Sequence, residues 1–391
     1  MRNDVKSKIW TIVCLACIAL PSVSMAGAIP PDPSNAALLY YQALLMMPDP
    51  EGQMPVDLAA VAKGEVPPDQ ARAFLEKCRS TIDFVEAAAT LPQCDWGYRF
   101  SLGFDVQLPQ LSQLRRLAFV LVSDARLRAS DGTCRGALER CLLVDSVSRH
   151  VGDDTIISYL VSIAIRNIGR ECMQEVIGQA AADAELLRWL KGELARAEPW
   201  GISPVHPLKI EVEVMTDLMR MNKRDKLIEA MTNPEDPDAK KVSDFVATLD
   251  AGTLERARSV YRKRMASILA TMATPLPYAE CYSRTQKLSN DFDPNDPALR
   301  VAGAFMPAMA KIYTLKVRCD ARTDAIAAGI EICLHRAESG KLPAALPVGL
   351  PKDPYSGEDF EYERTDGGFV LRCRGKDLDK DMVYEFKFPV K

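Results

Sequence analysis

Histidine is scarce in this chain. The three that occur, His150, His206 and His335, lie far apart in the sequence. No His-Glu-x-x-His pair, Gly-x-Ser-x-Gly elbow or Gly-x-x-x-x-Gly-Lys loop accompanies them. The zinc-peptidase, α/β-hydrolase and P-loop classes therefore have no motif to rest on. The nine cysteines after residue 26 contain no Cys-x-x-Cys spacing, the arrangement that zinc ribbons and thioredoxin-type sites use. Positive charge is not in excess: 49 Lys and Arg against 53 Asp and Glu leave a net charge of -4. That argues against a nucleic-acid binder, whose affinity comes from neutralising phosphates. No unit of solenoid length recurs along the chain.

What the chain has is ordinary globular material, 48% hydrophobic and 26% charged over 391 residues. That length exceeds what one core usually serves, roughly 250–300 residues. Residues 1–26 read as an export signal. Arg2, Lys6 and Lys8 precede an uncharged apolar run from Ile9 to Leu20, then Pro21-Ser22, then Ser24-Met25-Ala26 with small residues for cleavage. The expected location is periplasmic or extracellular. The alternative is an anchor formed by an uncleaved N-terminal helix, since no charge occurs from Ile9 through Pro31. Membrane contact is expected only in that case. Nine cysteines are an odd number for an oxidising compartment, and their connectivity is not readable.

Helical periodicity dominates from Pro33 to Pro275. Asn35 caps Ala36 to Met47, which is apolar nearly all round and reads as a buried helix. Further helices are expected at Val56 to Ala62, after Pro68, at Leu111 to Ala129, Cys134 to His150, Thr155 to Ile177, Ala184 to Ala197 and Val242 to Ala273. Residues 276–298 read as a linker. From Ala308 a stripe through Ile312, Cys319, Ile326, Ile330 and Cys333 predicts a long helix, stopped by Gly340 and Pro343. Three short alternating runs follow, the first two joined across Thr365-Asp366-Gly367-Gly368. Phe360 and Tyr362, Phe369 and Leu371, then Tyr384, Phe386 and Phe388 supply one apolar face, and the preceding helix is the nearest cover. Glu361 and Glu363 should pair across strands with Arg372 and Arg374. The expected architecture is mainly α: an irregular multi-helix domain at 33–275, then a long helix and a three-stranded antiparallel sheet at 299–391.

Two places could bear function. Leu91 to Pro109 has no helical period and carries Trp96, Tyr98, Phe100 and Phe104, enough aromatic surface to line a ligand groove. The acidic run Asp377-x-Asp379-x-Asp381 places three carboxylates where they could wrap a calcium ion. It is not an EF-hand, because Met382 and Phe388 stand at the glycine and glutamate positions. The basic runs Arg220 to Arg224 and Arg262 to Arg264 read as solvated helix faces.

At Leu350-Pro351-Lys352-Asp353-Pro354-Tyr355-Ser356-Gly357 the chain resembles the globular end of the major pseudopilin of type II secretion. The resemblance, over about Thr323 to Phe388, implies a long helix, an Asp-Pro-aromatic-x-Gly turn, a small antiparallel sheet and a calcium-binding last loop at Asp377, Asp379 and Asp381. A pseudopilin carries its assembly helix at the mature N-terminus, which this chain does not. The whole chain also resembles uncharacterised exported bacterial proteins that pair this module with a helical region containing Asn35 to Tyr41. The functional expectation is a non-catalytic binding or scaffold protein of the cell envelope, with a protein or envelope macromolecule as partner. The alternative is a secreted hydrolase with its site near the 91–109 connection.

Overall fold

The computed structural model describes residues 31–48, 60, 64–152, 154–197, 203–232 and 239–390. The expected signal and most of the short helix expected at 56–62 lie outside these residues. Met1–Ser34 forms one unit and Asn35–Lys391 the other. Everything below concerns the second.

Among the described residues there are fourteen helices and one sheet. The first seven are α1 Ala36–Met46, α2 Pro68–Lys77, α3 Arg79–Ala89, α4 Gln110–Ser130, α5 Cys134–Val151, α6 Ile156–Gln179 and α7 Ala184–Ala197. Then come α8 Val205–Leu218, α9 Arg224–Met231, α10 Ala239–Ala247, α11 Ala251–Ala273, α12 Tyr278–Asn290, α13 Pro297–Ala304 and α14 Met309–Ser339. The strands β1 Glu361–Thr365, β2 Gly368–Arg372 and β3 Glu385–Pro389 form an antiparallel meander in the order β1-β2-β3. The fold is mainly α with a small antiparallel sheet at the C-terminal end.

Three expectations need correction. The segment 276–298 is not a linker: it holds α12 and the start of α13, and Tyr278 and Cys281 of α12 are buried. Flanking prolines and a polar outer face hid that helix. Helix α1 is buried on one face only, through Ala36, Ala37, Tyr40 and Ala43, while Leu38, Leu45 and Met46 are exposed. The region 242–273 is two helices, α10 and α11, because the Asp250 side chain accepts from the Thr253 amide and starts a new helix there.

Apolar packing gathers into two cores that do not divide at residues 276–298. One joins α1 to α7 with the C-terminal half of α14 and the sheet. The other joins α8 to α11, α13 and the first part of α14. Helices α6 and α14 serve both. Tyr159 and Ile163 of α6 enter the second core, while Cys172, Met173 and Ile177 enter the first. Such a helix must be apolar on more than one side, which explains the low amphipathic contrast of both in sequence.

The sheet does lie across α14, yet α6 shares the cover. A Cβ on Gly329 of α14 would fall on the Phe388 ring, and one on Gly178 of α6 would fall on the Pro389 carbonyl oxygen. These two glycines let β3 reach helix backbone. The outer face carries the expected ion pairs: Arg372 lies 3.7 Å from both Glu361 and Glu363, and Arg374 lies 3.4 Å from Glu361. The Asp353-Pro-Tyr-Ser-Gly turn works through its first residue. Asp353 is buried, and its carboxylate accepts from Tyr355 N, Ser356 Oγ, Arg374 N and Gly375 N at 2.7–3.0 Å. One side chain thus ties the turn to the strand connection. No disulfide joins the nine cysteines of the described residues. Cys141 and Cys172 meet between α5 and α6, where a hydrogen bond between them and then burial raise the Cys141 thiol.

Candidate functional site

The aromatic connection divides at Tyr98. Its first half is core. Trp96 is buried, stacks on Tyr40 at 5.7 Å between ring centres, meets Tyr41 edge-on at 5.5 Å and donates from Nε1 to the His150 carbonyl at 2.6 Å. Asn35 pins the same place: its Oδ1 accepts from Ala37 N and Asp95 N, and its Nδ2 donates to Asp95 O. The Asn35 to Tyr41 stretch is therefore the platform on which Trp96 sits. Tyr40 Oη lies 2.9 Å from His150 Nδ1, and burial, then Arg149, lowers the pKa of that imidazole. A histidine so enclosed is a structural partner.

Tyr98 is half-buried and accepts from Gln110 Nε2 at 2.6 Å. Phe100 packs on Tyr98 with ring centres 5.9 Å apart and faces outward. From Phe100 onward a 3-10 turn, Phe100–Asp105, bends at Gly103 with φ 61° and turns apolar side chains toward a cavity of about 380 Å³. Its lining comes from several elements: Phe100 and Phe104 from the connection, Ile157 from the start of α6, Ile210 and Val214 from α8, and Met306 between α13 and α14. Phe104 and Ile157 are 52% and 58% exposed, so an apolar rim continues past the cavity mouth. Glu211 is the one acid in the lining among the described residues. Burial raises its carboxyl above the ordinary glutamate value.

Of the three aromatic residues marked in the sequence, the structure places Phe100 at the cavity, Tyr98 behind it and Trp96 in the core. The rest of the lining, from α6, α8 and the α13–α14 break, carries no local signal. It exists because distant helices converge.

The acidic run is placed differently from a cation site. Asp377 is fully buried. Its Oδ2 accepts from Arg318 Nη2 at 2.6 Å and Nε at 3.2 Å and from Tyr384 Oη at 3.1 Å, while its Oδ1 accepts from the Asp379 and Lys380 amides at 2.9 and 3.1 Å. Burial pushes the Asp377 carboxyl up, but Arg318 and the two amides outweigh it and hold it below the ordinary carboxylate value. Asp379 reaches only to 4.0 Å from Arg318. Asp381 sits at φ 58° and pairs with Lys376 in solvent. The three carboxylates do not converge, and no group of three metal-ligating side chains does so among the described residues. The guanidinium of Arg318, from α14, occupies the place where a cation would neutralise Asp377.

The basic runs are held locally. Arg220 pairs with Asp217 at 3.0 Å, Arg262 donates to Thr216 Oγ1, and Arg264 donates to the Asp291 carbonyl and covers the Phe292 ring. No family model, curated protein or solved structure matches the chain. No described helix is long and apolar enough to cross a membrane.

Proposed function

We propose that this chain is a non-catalytic binding protein whose pocket at Phe100, Ile157 and Val214 receives an apolar side chain of a partner protein. The carrying observation is the apolar cavity with an exposed apolar rim. A contiguous surface of that kind is characteristic of recognition sites, and deep apolar sockets flanked by aromatics are where interface energy concentrates. Glu211 offers the occupant one polar contact at the wall. The hydrolase reading would need an acid and a base or nucleophile within reach of one bound atom, and among the described residues Glu211 is the single titrating group in this lining.

Export under the residue 1–26 signal belongs to the same proposal and rests on the sequence of those residues. So does a pseudopilin-like origin of the C-terminal module, supported by its order of long helix, Asp-Pro turn and three antiparallel strands. The test is photocrosslinking in the producing cells, with benzoylphenylalanine at Ile157 and, as a remote control, at Glu363 on the sheet. The expected result is a discrete protein adduct from position 157 only, lost when Val214→Trp fills the socket. No adduct at 157, or one indifferent to Val214→Trp, rejects the proposal.

A further inference from the structure

A second cavity, of about 520 Å³, lies between α6, α7, α14 and the loop at 348–351. Much of its lining is apolar: Leu194 of α7, Ala327 and Ile330 of α14, Leu350 of the loop. Arg166 and Arg170, one turn apart on α6, line it as well, and they are only 9% and 3% exposed. Buried guanidinium groups ordinarily have their N–H donors matched to acceptors. These do not. Arg170 Nη2 lies 2.6 Å from Asp145 Oδ2 and Arg166 Nε 4.0 Å from Asp145 Oδ1. Those approaches are Coulombic contacts without hydrogen-bond direction, so both Asp145 oxygens and both arginine Nε atoms are left without hydrogen-bond partners. Arg170 Nη1 meets only Met173 Sδ, at 3.9 Å.

The charges do not balance either. Two guanidiniums face one carboxylate, which leaves one positive charge at the wall of the cavity. Arg149 stands close enough to add to that field: burial, and then Arg166 and Arg170, lower its pKa against the pull of Asp145. Lys191, also in the lining, is taken by Glu331 at 2.5 Å.

We infer that this cavity binds an aliphatic monocarboxylate, its carboxylate on Arg166 and Arg170 and its chain along Leu194, Ala327, Ile330 and Leu350. One negative charge completes the neutralisation, the planar guanidinium fork matches a carboxylate, and the volume far exceeds the ~30 Å³ share of a single water. The inference is independent of the pocket at Phe100. The carboxylate could belong to a free acid or to the end of a peptide chain, and both are tested.

The experiment is calorimetric titration of the purified chain with octanoate, octanol, N-acetyl-dileucine as acid and as amide, and inorganic phosphate. One of the two carboxylates is expected to bind at one site per chain, about tenfold or more tighter than its uncharged analogue. The tighter of the two names the source. Arg166→Gln should weaken binding about tenfold or more. Ala327→Phe, which occupies the cavity without touching a charge, should weaken it comparably and keeps the test decisive should Arg166→Gln fail to fold. Failure of both acids to bind, equal affinity of the tighter acid and its uncharged analogue, tighter binding of phosphate, or indifference to Ala327→Phe each overturns the inference.

Discussion

Two buried aspartates face arginines in this molecule, and their surroundings differ. Asp377 has one guanidinium, one close tyrosine hydroxyl and two backbone amides, all directed at its oxygens. Its charge is matched within hydrogen-bond distance, and it joins the last loop to α14. Asp145 has Arg166 and Arg170 beside it, yet neither of its oxygens receives a directed hydrogen bond, and a cavity opens where the arginines lie. The first arrangement is closed and explains itself as structure. The second leaves two guanidiniums beside one carboxylate, the imbalance on which the proposed carboxylate site rests. The contrast teaches that proximity of opposite charges in the interior does not by itself give directed hydrogen bonds.

The comparison is open to attack by mutation, and the largest effect belongs to its closed side. Arg318→Met strands the Asp377 carboxylate in the interior and should cost about 3–5 kcal/mol, the usual penalty for halving a buried pair. Asp377→Asn in the same background should recover part of it, both measured by urea unfolding. Gly329→Ala pushes a methyl group onto the Phe388 ring and should cost about 1–3 kcal/mol. A neutral result there would mean the sheet is not seated on α14.

Arg166→Gln is the sharpest test of the difference, because Arg170 still faces Asp145 after it. It should change stability by no more than roughly 1 kcal/mol in either direction. A loss as large as that of Arg318→Met would make the two sites alike and remove the case for an anion. Glu211→Gln extends the contrast to the other cavity. With the Glu211 pKa raised by burial, its contribution to stability is full below the ordinary glutamate range and is lost as pH rises through the raised value. The variant should therefore melt above the parent at neutral pH, with the gap closing in acid. A gap that widens in acid contradicts the burial. The smallest effect is expected from calcium: because Arg318 already neutralises Asp377, millimolar calcium or its chelation should leave the melting midpoint unchanged.

Much of the framework was legible in order of elements. The stripe from Ile312 to Cys333, the glycine at 340 in its left-handed cap and the turn at Thr365 to Gly368 each follow from local chemistry, and each is found. So are the cross-strand pairs of Arg372 and Arg374, because alternation fixes which side chains share a face. Helix α12 was not legible, since a polar sequence between prolines looks like a connection until Tyr278 and Cys281 are seen to be covered. The site residues were legible only in part. Phe100 could be marked from composition, but Ile157, Val214 and Glu211 have no local feature that separates them from other positions on half-buried helices. Arg166 and Arg170 were not marked in the sequence at all, and it is the packing of α7 and α14 beside them that encloses them.

The sequence alone determined that the chain is mainly helical, where its last helix stops and that three strands with one apolar face follow it. These depend on interactions between residues a few positions apart, which any reader of the chain can see. Tertiary structure decided which carboxylate is neutralised by Arg318, which face of α1 is covered, and that two arginines end up in the interior with too few acceptors. Those outcomes depend on which surfaces are removed from water, and burial belongs to the assembled helices and sheet, not to any stretch of the chain.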